Sequence, residues 1–167
     1  MRALCLGLLA SVLAVGSASA APELIDRWGT GAVVDSLQSL GATEVQVKAA
    51  EGRPIVTART HDGLNVGLYA KACDQVAQGG TITCHGLEAI ISFDPGARVE
   101  RTALVGRLNH DFALGKFLAE EDGTIRLSRY LVFDAGVTPG NLRSELASFF
   151  AVGVLTAQTL WPEAVKR

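Results

Sequence analysis

Histidine, tyrosine, tryptophan and cysteine are all scarce in this sequence, at three, two, two and three residues of 167. The shortage excludes a good deal of chemistry. His61, His85 and His110 lie far apart along the chain, so no metal-ligand spacing stands out. No C-x-x-C occurs, which removes the usual redox-active dithiol. No G-x-S-x-G elbow occurs, and no Ser, His and acid arrangement can be singled out. Charge of one sign is lacking too. Fifteen Lys and Arg stand against 17 Asp and Glu, for a formal net charge of −2. The charges are scattered, so there is no electrostatic footprint for nucleic acid and no polybasic anchor for anionic lipid.

The most apolar stretch is the start of the chain. Met1-Arg2 precedes an apolar run from Ala3 to Val15, and Ser17-Ala18-Ser19-Ala20 leads into Ala21-Pro22. A short positive head, an apolar middle and a small-residue Ala-x-Ala exit form the layout of a secretory signal peptide, with cleavage expected after Ala20. The run is too short to span a bilayer. The expected location is the periplasm or beyond. Residues 21–29 read as a lead-in and residues 30–162 as one domain.

Cysteine usage agrees with that compartment. Cys5 belongs to the leader, at the front of its apolar run. Cys73 and Cys84 remain as an even pair in an oxidising location, which predicts a disulfide. Ten residues separate them, Gly79-Gly80 among these, so the segment can fold back.

Periodicity supplies the elements. Val33, Leu37 and Leu40 at i, i+4 and i+7 predict a helix from Thr30, placed as its cap, to about Leu40, with Gly41 as the stop. Thr43–Ala49, Ile55–Thr60 and Leu64–Ala72 read as strands of an antiparallel meander, with Val45 and Val47 sharing one face of the first. Ile82–Phe93 is a further strand, with a break anticipated at Gly86. A helix is expected from Ala97 to about Leu108, with Val99, Ala103 and Leu104 inward and Asn109 as a left-handed terminator. Phe112–Glu120 and Thr124–Asp134 flank a turn at Glu121-Asp122-Gly123. Ile125, Leu127, Leu131 and Phe133 share a face there, which Arg129 interrupts. A long helix follows from Thr138 to Leu160. The fold class is α+β, an antiparallel sheet of five to six strands with three helices set on one face.

Several stretches together resemble one family. They are Gly52-Arg53-Pro54-Ile55, Gly63-Leu64-Asn65-Val66, the two cysteines around a Gly-rich insert, and Leu87–Phe93. Val105–Asn109 leading into FALGKFLAEEDG, then Gly136-Val137-Thr138 and Asn141-Leu142, complete the order. The chain from Thr30 to Trp161 resembles the YbjN-like domain family, described as bacterial sensory transduction regulators. It departs from the family where members often carry Trp-Asn, since Leu108-Asn109 stands there, and at Ala113–Phe117. The resemblance implies a fold like that of type III secretion chaperones, often dimeric, with no catalytic residue and no cofactor.

The remaining candidates are few. A zinc site from Cys73, Cys84 and His85 is disfavoured, because neighbouring residues of a strand point to opposite faces. A thiolate nucleophile at Cys84 is disfavoured by its expected pairing. Asn109-His110-Asp111 offers either a small general-base site or, as preferred, a helix end followed by a solvated turn. Glu120-Glu121-Asp122 lacks alternating calcium ligands and reads as a hairpin tip. Phe149-Phe150-Ala151-Val152-Gly153-Val154-Leu155 is apolar around most of a helix. Such a helix is either buried on two sides or carries a partner or dimer surface at Phe149, Phe150, Val154 and Trp161. The function expected is therefore non-catalytic: a protein-binding or regulatory accessory domain holding a partner by its open sheet or last helix, with a homodimer in view. The alternative is a binder of a small apolar ligand, such as a lipid, between sheet and helices.

Overall fold

The computed structural model describes residues 23–74, 82–96 and 100–162. The leader, the Gly79-Gly80 fold-back and the Ala97–Val99 start of the second helix lie outside the described residues.

The elements run α1 (Thr30–Ser39), β1 (Thr43–Ala50), β2 (Arg53–Arg59), β3 (Asn65–Cys73), β4 (Cys84–Phe93), α2 (Arg101–Asp111), β5 (Lys116–Ala119), β6 (Ile125–Val132) and α3 (Pro139–Leu160). All six strands form one antiparallel sheet in the order β1-β2-β3-β4-β6-β5. The α+β expectation holds.

Strand alternation puts Val56, Val66, Leu68, Leu87, Ala89, Ile91, Ile125 and Leu127 on one face, all buried. The three helices close over that face. α1 lies on β1 and β2 and against α3, α3 on β4, and α2 on β5. Phe117, Phe133 and Phe149 fill the space between the layers, each at most 1% exposed.

Local signals explain most boundaries. Gly41 stands at φ +74° just past α1, a conformation that costs glycine little. Thr138 caps α3, its hydroxyl accepting from the Asn141 N–H at 3.1 Å, and Pro139 takes the first turn.

Four expectations need correction. Gly29 rather than Thr30 is the α1 cap, and the Thr30 hydroxyl accepts instead from Trp28 Nε1 at 3.0 Å. Val47 does share the helix side with Val45, as expected, but is 56% exposed in β1, the edge strand of the sheet. β4 runs unbroken through Gly86, which is paired on both sides, with Lys71 and Val132. α2 passes Asn109 and ends at Asp111, and its capping residue Phe112 has a negative φ. There Leu104 and Leu108 are buried while Ala103 is exposed.

Candidate interaction surface

The same alternation that fills the core builds the opposite face of the sheet, where no helix lies among the described residues. Register aligns its side chains in rows. One row runs Lys48, Ile55, Tyr69, Glu88, Tyr130 from β1 to β6. The next runs Gln46, Thr57, Gly67, Ile90, Ser128, Lys116. An antiparallel sheet with one solvated face normally alternates apolar-in and polar-out. Here the outer face carries Ile55, Tyr69, Ile90, Tyr130 and Val132, the last two 49% and 52% exposed.

Two glycines fix the posture of the tyrosines. A Cβ at Gly67 would stand 2.8 Å from the Tyr69 ring, and one at Gly86 would stand 2.3 Å from the Tyr130 hydroxyl. Each ring therefore lies down over a bare backbone on the neighbouring row. The face is hollowed into two shallow grooves that share Tyr69, Ile90 and Ser92. One of about 480 Å³ extends over β1–β3 past Thr57 to Lys48, and the other of about 540 Å³ extends to the β5–β6 hairpin tip at Glu121.

Charge is unevenly placed. Lys48, Arg53, Arg59, Lys71, Lys116 and Arg126 all stand on this outer face by register. Lys71 pairs with Glu88 at 2.9 Å and Arg126 with Glu120 at 2.8 Å. Lys48, Arg53, Arg59 and Lys116 make no ion pair among the described residues.

The residues singled out from sequence are placed as follows. Cys73 and Cys84 form a disulfide at the end of the β3–β4 ladder. His85 lies between Asp74 and Asp134, 3.4 Å from each. Among the described residues no group of three or more His, Cys, Asp or Glu is placed to hold a metal ion. Asn109, His110 and Asp111 form the last turn of α2. Asn109 is held there structurally: its side chain bonds both the N–H and the carbonyl of Phe117, at 2.9 and 3.0 Å, tying α2 to β5. Asp122 folds back on its own turn and accepts from the Thr124 N–H at 2.9 Å and its hydroxyl at 2.8 Å. Those bonds hold its carboxyl below the ordinary value.

The candidate surface on α3 is divided. Phe149 and Phe150 are 1% and 7% exposed and belong to the core, so neither ring is presented for docking. Their burial has a plain cause, since α3 is covered by the sheet on one side and α1 on another. Val154 is half-buried. Trp161 is 36% exposed and leans on Phe93, with ring centroids 6.2 Å apart.

One arrangement was not anticipated. Arg129 interrupts the apolar face of β6 because it reaches α3. Its Nε donates to Glu145 at 2.8 Å, and its remaining nitrogens bond Glu145 and the Leu114 carbonyl. An apolar row with one arginine was the visible signal. Its partner could not be read from spacing.

Residues 80–153 match the YbjN family model, whose description reads "Putative bacterial sensory transduction regulator". The chain carries a YbjN-like domain. The match runs from just before β4 into α3, so the meander β1–β3 and half of the outer face lie before it. The family description names a regulator and no reaction. No curated protein and no solved structure matches the chain.

Proposed function

We propose that this chain is a non-catalytic, periplasmic accessory domain that acts by binding a protein partner on the outer face of its sheet. The observation that carries the proposal is the aromatic and aliphatic centre of that face. Ile55, Tyr69, Ile90, Tyr130 and Val132 lie there with no helix above them among the described residues. Tyrosines within an apolar patch rimmed by charge, here exposed Tyr130 and half-buried Tyr69, are the usual composition of a binding surface. The regulator description of the family supports an accessory role. The leader-like first twenty residues and the Cys73–Cys84 pair support an oxidising compartment.

A photo-crosslinking residue at position 130, expressed in whole cells, tests the surface. A defined crosslinked protein band at 130, absent from a control at exposed Ala147 on α3, is the expected result. Equal labelling at both positions, or none at 130, refutes it. Cell fractionation of the same strain tests the compartment, and protein retained in the cytoplasm with Met1 attached would overturn the periplasmic part.

The apolar-ligand alternative has one place to start from. A cleft of about 370 Å³ between α2 and the end of α3 is lined by Leu104, Leu108, Phe112 and Leu160, with Arg107 and Asp111 at its mouth. It lies at the molecular surface. The layer between sheet and helices, where that ligand was expected, is occupied by the phenylalanines.

A further inference from the structure

We infer that the segment held by the β1–β3 half of the outer face is acidic and extended, with an apolar middle. This deepens the surface reading above and rests on it. Four outward residues of β2, namely Arg53, Ile55, Thr57 and Arg59, form a line. At roughly 3.3 Å per residue the two arginines stand about 20 Å apart along the strand. Lys48 sits beside Ile55 on β1, and Tyr69 sits beside it on β3. The line therefore reads cation, then an isoleucine flanked by a lysine and a tyrosine, then cation.

None of Arg53, Lys48 and Arg59 has a carboxylate partner among the described residues. Glu44 is the one carboxylate lining this groove. The neighbouring Glu88 is already taken by Lys71. The bias is local. All three described lysines, Lys48, Lys71 and Lys116, lie on the outer face, although the whole chain has a net charge of −2. An extended segment of six to eight residues covers the line, with carboxylates for the two arginines and an aliphatic side chain for Ile55 and Tyr69. Charge complementarity of this kind selects the partner and speeds its capture. The β5–β6 tip, with Glu121 and Asp122, repels such a segment and confines it to the other half of the face.

Fluorescence anisotropy tests this on the intact mature chain. The probes are a labelled octapeptide alternating Glu and Leu, its Gln–Leu and Lys–Leu counterparts, and a labelled oligothymidylate. The Glu–Leu probe should bind about tenfold tighter than the Gln–Leu probe, and raising NaCl from 50 to 300 mM should erase most of the difference. Arg53→Glu with Arg59→Glu should abolish the preference, while Arg143→Glu on α3 should leave it intact. Circular dichroism of each variant confirms folding, and Arg53→Gln with Arg59→Gln provides a milder pair. Equal binding of the Glu–Leu and Gln–Leu probes overturns the inference, as does a preference that survives the double reversal or tighter binding of the oligothymidylate. A crosslinked partner at position 130 together with equal peptide binding would overturn the acidic chemistry alone and leave the surface standing.

Discussion

Reducing the Cys73–Cys84 bond should lower the melting temperature by about 6–12 °C without loss of the fold. The bond joins residues 11 apart in sequence, the last register pair of β3 and β4. Opening it does not remove the ladder. Lys71–Gly86, Ala70–Leu87 and Tyr69–Glu88 remain paired above it, and the Asp74 N–H still donates to the Thr83 carbonyl at 2.9 Å beyond it. The cost falls on the unfolded chain, which regains the freedom of a closed loop. For a loop of this size the chain-entropy relation gives about 9 cal/mol/K, or about 2.8 kcal/mol at 25 °C. A chain of this length loses about 2–4 °C per kcal/mol. The measurement is a pair of thermal melts by circular dichroism, with and without a phosphine reductant, on protein whose thiols are counted by alkylation. Reduction is the cleaner perturbation, because Cys84 is 2% exposed and Cys84→Ala would add a packing loss of its own. An unchanged melting temperature would refute the entropic reasoning. Collapse of the far-ultraviolet spectrum at 25 °C would show that the ladder cannot stand without its end bond.

Phe149→Ala should cost about 3–5 kcal/mol and Trp161→Ala under about 1.5 kcal/mol in urea unfolding, because the first ring is in the core and the second is partly solvated; similar losses would contradict the division of α3. A double-mutant cycle of Arg129→Met with Glu145→Gln should show a coupling of about 1 kcal/mol, since both groups are partly exposed and screened; additive losses would mean that Arg129 acts through Leu114 alone. The Asp122 carboxyl is held below its ordinary 3.8 by the Thr124 N–H and hydroxyl, so the turn gains support above the unfolded value and loses it as pH falls through the lower folded value. The Thr124 amide resonance should therefore titrate with a midpoint below 3.8, and a midpoint at or above it would refute the bond.

How much of this was legible in the sequence follows the range of each interaction. Period-two runs such as Leu87, Ala89, Ile91, Phe93 announced both their strand and their buried face, because alternation is a local property. Asp-Gly turns at 62–63 and 122–123 placed their hairpins for the same reason. Long-range partners were not visible. Asn109 looked like a helix terminator, yet its amide is used by Phe117, eight residues on. Gly86 looked like a strand break, yet Tyr130 from another strand lies over it. Phe149 and Phe150 raised a surface that the packing of α1 and the sheet on α3 encloses. The outer face was anticipated only as an open sheet, since its rows exist only once register joins strands as far apart in the chain as β1 and β6.

The glycines beneath the tyrosines bear on why that face has the form it has. Glycine within a strand costs about 0.5–1 kcal/mol relative to alanine and leaves nothing to pack. Gly67 and Gly86 sit in the interior of the sheet, where stability alone favours a larger residue. Alanine at 86 would meet the Tyr130 hydroxyl at 2.3 Å and the Leu131 carbonyl at 3.3 Å, so the ring would have to lift from the sheet. Alanine at 67 would lift Tyr69 in the same way, from contacts of 2.8 and 2.9 Å. What the two glycines allow is a pair of aromatic side chains lying over bare backbone on the outer face, Tyr69 also lining both grooves, a posture with no bearing on the core beneath. A sheet face that costs its own strands stability and adds nothing to the core is the arrangement that the proposed binding surface requires.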